Sequence, residues 1–119
     1  MARAATSLAP VKVDEELSGA LLAKFFRALG DATRLRILEA LCDGPQTVSE
    51  LVEAAGCGQS RVSNHLACLR SCRFVVSRTD GRWVTYSLAD PQLRSLIALA
   101  QKLVHKNATF FALCATVGA

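Results

Sequence analysis

Cys68 and Cys72 stand four residues apart in the stretch Gln59-Ser-Arg-Val-Ser-Asn-His-Leu-Ala-Cys-Leu-Arg-Ser-Cys72. At helical spacing both thiols fall on one face, with β-carbons about 5–6 Å apart. Sulfurs so placed can converge on one ion, and thiolates select soft ions. Two thiolates do not close a site, so a third ligand is required. The earlier turns of the same stretch carry Gln59, Ser60, Arg61, Ser63, Asn64 and His65. These are short hydrogen-bonding side chains plus a cation, the types that reach base edges and phosphates in a major groove. Val62, Leu66 and Leu69 fall together on one side, as a core-facing stripe should. One helix is therefore expected both to touch DNA and to hold half of a thiolate metal site.

Charge supports the first role. The net charge of the 119 residues is +4. Residues 59–82 hold Arg61, Arg70, Arg73, Arg78 and Arg82 against Asp80, and five minus one accounts for the whole excess. A charge run is usually a solvated face; concentration on one helix and the segment after it points instead to nucleic acid. No apolar run approaches the ~20 residues of a membrane span. The N-terminus lacks the charged, apolar, small-residue order of a signal peptide. A cytoplasmic protein is expected, with its five cysteines reduced and serving as metal ligands, redox groups or small core residues. The chain has no nucleophile elbow, phosphate loop or paired catalytic carboxylates, so an enzyme is not expected.

The elements that must position these groups are legible in order. Residues 1–13 are small and aperiodic, a flexible arm. Asp14 to Leu29 has helical spacing of Leu17, Leu21, Leu22, Phe25, Phe26 and Leu29. Asp31 caps a second helix that ends near Cys42, before the turn Asp43-Gly44-Pro45. Thr47-Val-Ser-Glu50 has capping-box spacing and opens a short helix to Ala55-Gly56. Two helices joined by a few residues including glycine, the second polar at its start, make a helix-turn-helix. Arg73 to Arg78 and Arg82 to Leu88 read as strands around an Asp80-Gly81 hairpin turn, in which both residues would take positive φ. Asp90-Pro91 starts a last long helix carrying Leu93, Leu96, Ile97, Ala100, Leu103 and Val104. The tail is apolar at Phe110, Phe111 and Leu113.

The expected fold is mainly α with a β-hairpin wing: a winged helix-turn-helix of five helices and two strands. It divides into the arm 1–13, a domain 14–107 and a tail 108–119. Apolar stripes at both ends of so short a chain predict a homodimer built from the first and last helices. Arg78 and Arg82 would place the wing on phosphate or in a minor groove.

Three blocks, Phe26-Arg-Ala-Leu-Gly-Asp-Ala-Thr-Arg-Leu-Arg-Ile-Leu38, Val62-Ser-Asn-His-Leu66 and Asp80-Gly-Arg-Trp-Val-Thr-Tyr-Ser-Leu88, resemble the ArsR/SmtB metal-sensing repressors over about residues 18 to 105. The resemblance implies a homodimer that binds double-stranded, inverted-repeat operator DNA and leaves it when metal binds. The family's arsenic-type site needs cysteines where Thr47 and Ser49 stand. Its zinc or nickel type needs partners that Asp90 and His105 lack. The cadmium and lead sensors of the CmtR type are most similar, with Cys-Leu-Arg-x-Cys at the end of the recognition helix and a third cysteine further on. That pattern implies Cys68, Cys72 and Cys114 as ligands, with Cys114 from the other subunit, and cadmium or lead as the inducing ion. Zinc or arsenite stands as an alternative inducer, as does an arsenite or antimonite sensor. So does a repressor of the same fold switched by thiol oxidation or persulfide. His65 can be argued as a fourth ligand and is preferred as a DNA contact. Cys42 and Cys57 lie outside the pattern and are expected to pack in the core, with thiol redox chemistry the alternative for Cys42.

Overall fold

The structure is a computed structural model describing residues 9–114. Its elements are α1 (Glu15–Leu29), α2 (Ala32–Leu41), β1 (Gln46–Thr47), α3 (Val48–Ala55), α4 (Gln59–Ser71), β2 (Val75–Asp80), β3 (Trp83–Leu88), α5 (Gln92–Lys106) and α6 (Ala108–Ala112). Six helices and three strands among the described residues replace the expected five and two. The additional strand is β1, which pairs antiparallel with β3 through Gln46–Tyr86 and Thr47–Thr85. Two residues are too short to show alternation in sequence. The additional helix, α6, lies where the sequence predicted a plain tail. The arm, and the tail beyond residue 114, fall largely outside the described residues.

Side-chain caps set most helix starts. Asp14 Oδ1 accepts from the Leu17 amide at 2.8 Å, and Asp31 Oδ1 from the Arg34 amide at 3.0 Å. That bond to the Arg34 amide holds the Asp31 carboxyl below the ordinary range. Thr47 and Glu50 form the expected capping box, at 2.8 and 3.3 Å. Gly56 closes α3 with φ of 71°. Gly58 then caps α4 without a side chain. Asp90 Oδ1 accepts from the Gln92 amide at 2.8 Å as α5 begins.

α4 ends differently from the expectation, which started a strand at Arg73. Arg73 instead takes φ of 63°. Its amide donates to Arg70 O at 3.1 Å, and the Phe74 amide to Leu69 O at 2.9 Å. This is the Schellman arrangement with arginine where glycine is usual. Phe74 and Leu69, the hydrophobic pair of that motif, are both buried. The hairpin turn also shifts by one residue. Asp80 pairs with Trp83, leaving Gly81-Arg82 as the loop. Positive φ falls on Gly81 alone, at 64°, as in a type II′ turn.

Ile37, Leu38 and Leu41 of α2, Leu51 of α3, Val62, Leu66 and Leu69 of α4, and Val75 of β2 are fully buried together. Leu93 and Ile97 close this core from α5. Outside it, Leu21, Leu22 and Phe26 of α1 are exposed. So are Leu99, Leu103 and Val104 of α5 and Phe110 and Phe111 of α6.

Because Arg73 holds a left-handed conformation that a β-branched side chain resists, Arg73→Val should lower stability by about 1–2 kcal/mol. Arg73→Gly should leave it unchanged or raise it by up to about 1 kcal/mol. Urea unfolding of both variants checks the pair.

Candidate DNA-facing helix and thiol site

Three buried side chains, Val62, Leu66 and Leu69, fix the rotation of α4 about its axis. Gln59, Ser60, Arg61, Ser63 and Asn64 are consequently all exposed. His65 is half-buried, and its Nδ1 lies 3.5 Å from Nη1 of Arg34 in α2. Arg34 is itself anchored, donating from Nε to Ala28 O at 2.6 Å. On the opposite flank of α4, Arg70 donates to Ser77 Oγ of β2 at 3.3 Å.

Cys68 and Cys72 are exposed. Spacings of three and four place His65, Cys68 and Cys72 along one flank of α4, the flank towards α1. Cys72 caps the helix and lines a groove of about 290 Å³ with Leu21, Lys24, Phe25, Ala28, Ser71 and Phe74. The helix ends immediately after it, in the Schellman turn. Cys114 is exposed beyond α6. No three histidine, cysteine, aspartate or glutamate side chains cluster among the described residues. Within one chain, then, the described residues offer a soft ion a pair of thiols and not a closed set. The donor types fit such an ion; a site of three or more thiolates would need a ligand from elsewhere.

Arg78, Arg82 and Trp83 stand exposed on the wing, Trp83 at 66 %. The β2–β3 register puts Arg78 and Thr85 opposite each other, and Asp80 and Trp83. Arg78, Asp80, Trp83 and Thr85 therefore share one face of the hairpin. Cys42 and Cys57 are half-buried against the core, as their sequence positions predicted. Burial pushes the Cys42 thiol up.

Sequence reasoning passed over the contacts of Arg34, which meets α4 from α2, and of Arg70, which reaches from α4 to β2. Nothing in their spacing marks them. Each is an arginine on an amphipathic helix, and its contact lies across a tertiary interface.

The pattern "Bacterial regulatory protein, arsR family" matches residues 31–77. The chain is 44 % identical over 95 residues to a "Probable mercury resistance operon repressor" of Streptomyces lividans, covering 80 % of this chain and 76 % of that one. The chain belongs to the ArsR family. A second relative is "HTH-type transcriptional regulator CmtR" of Mycobacterium tuberculosis, 48 % identical over 87 residues, 72 % of this chain and 74 % of that one. Among solved structures, the homodimeric winged helix-turn-helix domain Mb0332 of Mycobacterium bovis, titled a possible ArsR-family transcriptional regulator, superposes with TM-score 0.71. It is 26 % identical, over 83 % of this chain and 92 % of that one. The winged-helix expectation holds, with the corrections of strand, helix and turn given above. No helix among the described residues is long and apolar enough to cross a membrane.

Thiol exposure gives a check on this geometry. At neutral pH, iodoacetamide should alkylate Cys68 and Cys72 at least severalfold faster than Cys42, because the thiolate is the nucleophile and the Cys42 pKa is raised. The Cys42 rate should keep rising above the ordinary thiol range, read by mass spectrometry of timed digests.

Proposed function

We propose that this ArsR-family chain is a homodimeric repressor that binds operator DNA through α4 and the wing and releases it when a soft metal ion binds cysteine thiolates. The observation that carries the reading is the division of α4. Its early turns expose Gln59, Ser60, Arg61, Ser63 and Asn64, while its last turns expose Cys68 and Cys72. His65, Arg78 and Arg82 complete the DNA-binding set. Cys114 is the third metal ligand, supplied by the partner subunit in the dimer. Support for the dimer comes from the apolar faces of α1, α5 and α6, and from the homodimeric Mb0332 domain. In such a dimer the two α4 helices would enter successive major grooves, about 34 Å apart.

Cadmium or lead suits three thiolates and is the ion this reading prefers. The relative named as a mercury-resistance repressor favours a second reading, in which mercury(II) is the inducer. Mercury(II) is satisfied by two thiolates, and Cys68 and Cys72 form the pair already on one flank.

An operator duplex selected by the protein from a random library, followed by fluorescence anisotropy, tests these readings. Cadmium or lead should weaken operator binding by about 5- to 150-fold, a range typical of coupled sites. Cys68→Ser should abolish that response while leaving metal-free binding intact. Full metal-triggered release by Cys68→Ser would end the proposal. Under the cadmium–lead reading Cys114→Ser also abolishes the response. Under the mercury reading Cys114→Ser keeps it.

A further inference from the structure

His65 meets a partner that restricts its chemistry. A guanidinium has five N–H donors and no acceptor, and it stays protonated throughout the pH range of folded proteins. Nη1 of Arg34 lies 3.5 Å from Nδ1 of His65, a long contact between two half-buried side chains. Only one polarity is available to it: Arg34 donates and Nδ1 accepts. A neutral imidazole whose Nδ1 is a lone pair carries its proton on Nε2. Arg34 is not free to turn away. Its Nε is bound to Ala28 O at 2.6 Å, and its own amide to the Asp31 cap at 3.0 Å. The guanidinium thus approaches His65 from a fixed direction, set by the end of α1 and the start of α2.

We infer that Arg34 is a positioning residue for DNA recognition, locking His65 in the Nε2–H tautomer so that α4 presents a fixed donor to a hydrogen-bond acceptor on the DNA. This rests on the proposal that α4 enters the operator. The acceptor is either a base edge, guanine N7 or O6 or thymine O4, or a phosphate oxygen. A donor of fixed polarity rejects a base that offers a donor at the same place, whereas an imidazole free to exchange tautomers accepts both. Arg34 therefore contributes to discrimination without touching DNA.

Nitrogen-15 NMR of the full chain, at a pH above the histidine titration range, reads the tautomer directly. His65 should show an unprotonated Nδ1 and a protonated Nε2 in the wild type, and a mixture in Arg34→Met. A protonated Nδ1 in the wild type, or an unchanged tautomer in Arg34→Met, overturns the inference. Two substitutions test the DNA side with the library-selected duplex. Gln places its amide nitrogen near the position of Nε2, and Asn near that of Nδ1. His65→Asn should therefore bind about tenfold more weakly than His65→Gln; equal or reversed affinities overturn the inference. For a base-edge acceptor the loss between these variants should disappear on changing one base pair of the duplex. For a phosphate it should persist across sequences. A wild-type chain that shows the Nε2–H tautomer but selects no duplex overturns the function proposed above, and the positioning role with it.

Discussion

The packing of Val62, Leu66 and Leu69 under α2 and α3 governs the rest of this molecule. Each of these side chains is essentially absent from the surface, and burying one is worth about 1.5–3 kcal/mol. Together they leave α4 a single rotational setting. Every other group on the helix then has an assigned direction. The polar side chains of the first turns face outward. His65, Cys68 and Cys72 run along the flank towards α1, and Arg70 meets the wing on the other flank. A turn of α4 by even one residue would bury a polar group and expose an apolar one, so the arrangement is all or nothing.

The end of α4 is as constrained as its rotation. Cys72 is the last residue before a Schellman turn that needs a left-handed residue, here Arg73, and Phe74 anchors that turn in the core. Under the proposed function, an ion gripping Cys68 and Cys72 would pull on a segment whose far side is already fixed. The helix cannot yield by fraying without breaking the 2.9 Å bond from the Phe74 amide to Leu69 O. Under the proposed function its response would be to move as a body, carrying its early turns with it.

Much of this was legible from residue types and spacing. The stripe of Val62, Leu66 and Leu69 was readable because a single period governs it. Asp31 and Thr47 were readable as caps, because capping is local chemistry; Asp14 was read only as the start of an apolar period, and the structure adds its capping role. The misses share one cause. β1 exists only because β3 offers it a partner. The left-handed Arg73 depends on Phe74 finding the core. The hairpin loop fell on Gly81-Arg82 because pairing of Asp80 with Trp83 extended the ladder by one step. The contact of Arg34 with His65 joins residues 31 apart in sequence. Each is set by tertiary partners, and no local pattern encodes them. The two thiols on α4 were visible at once, while the ligand that would complete them lies outside anything their spacing specifies.

If metal and operator make competing demands on one rigid helix, their affinities are linked by thermodynamic necessity. The direct measurement is calorimetric titration of cadmium into the protein alone and into its complex with the selected operator duplex. The account predicts that the operator weakens cadmium binding by the same factor by which cadmium weakens operator binding. Equal cadmium affinity in the two titrations would contradict it.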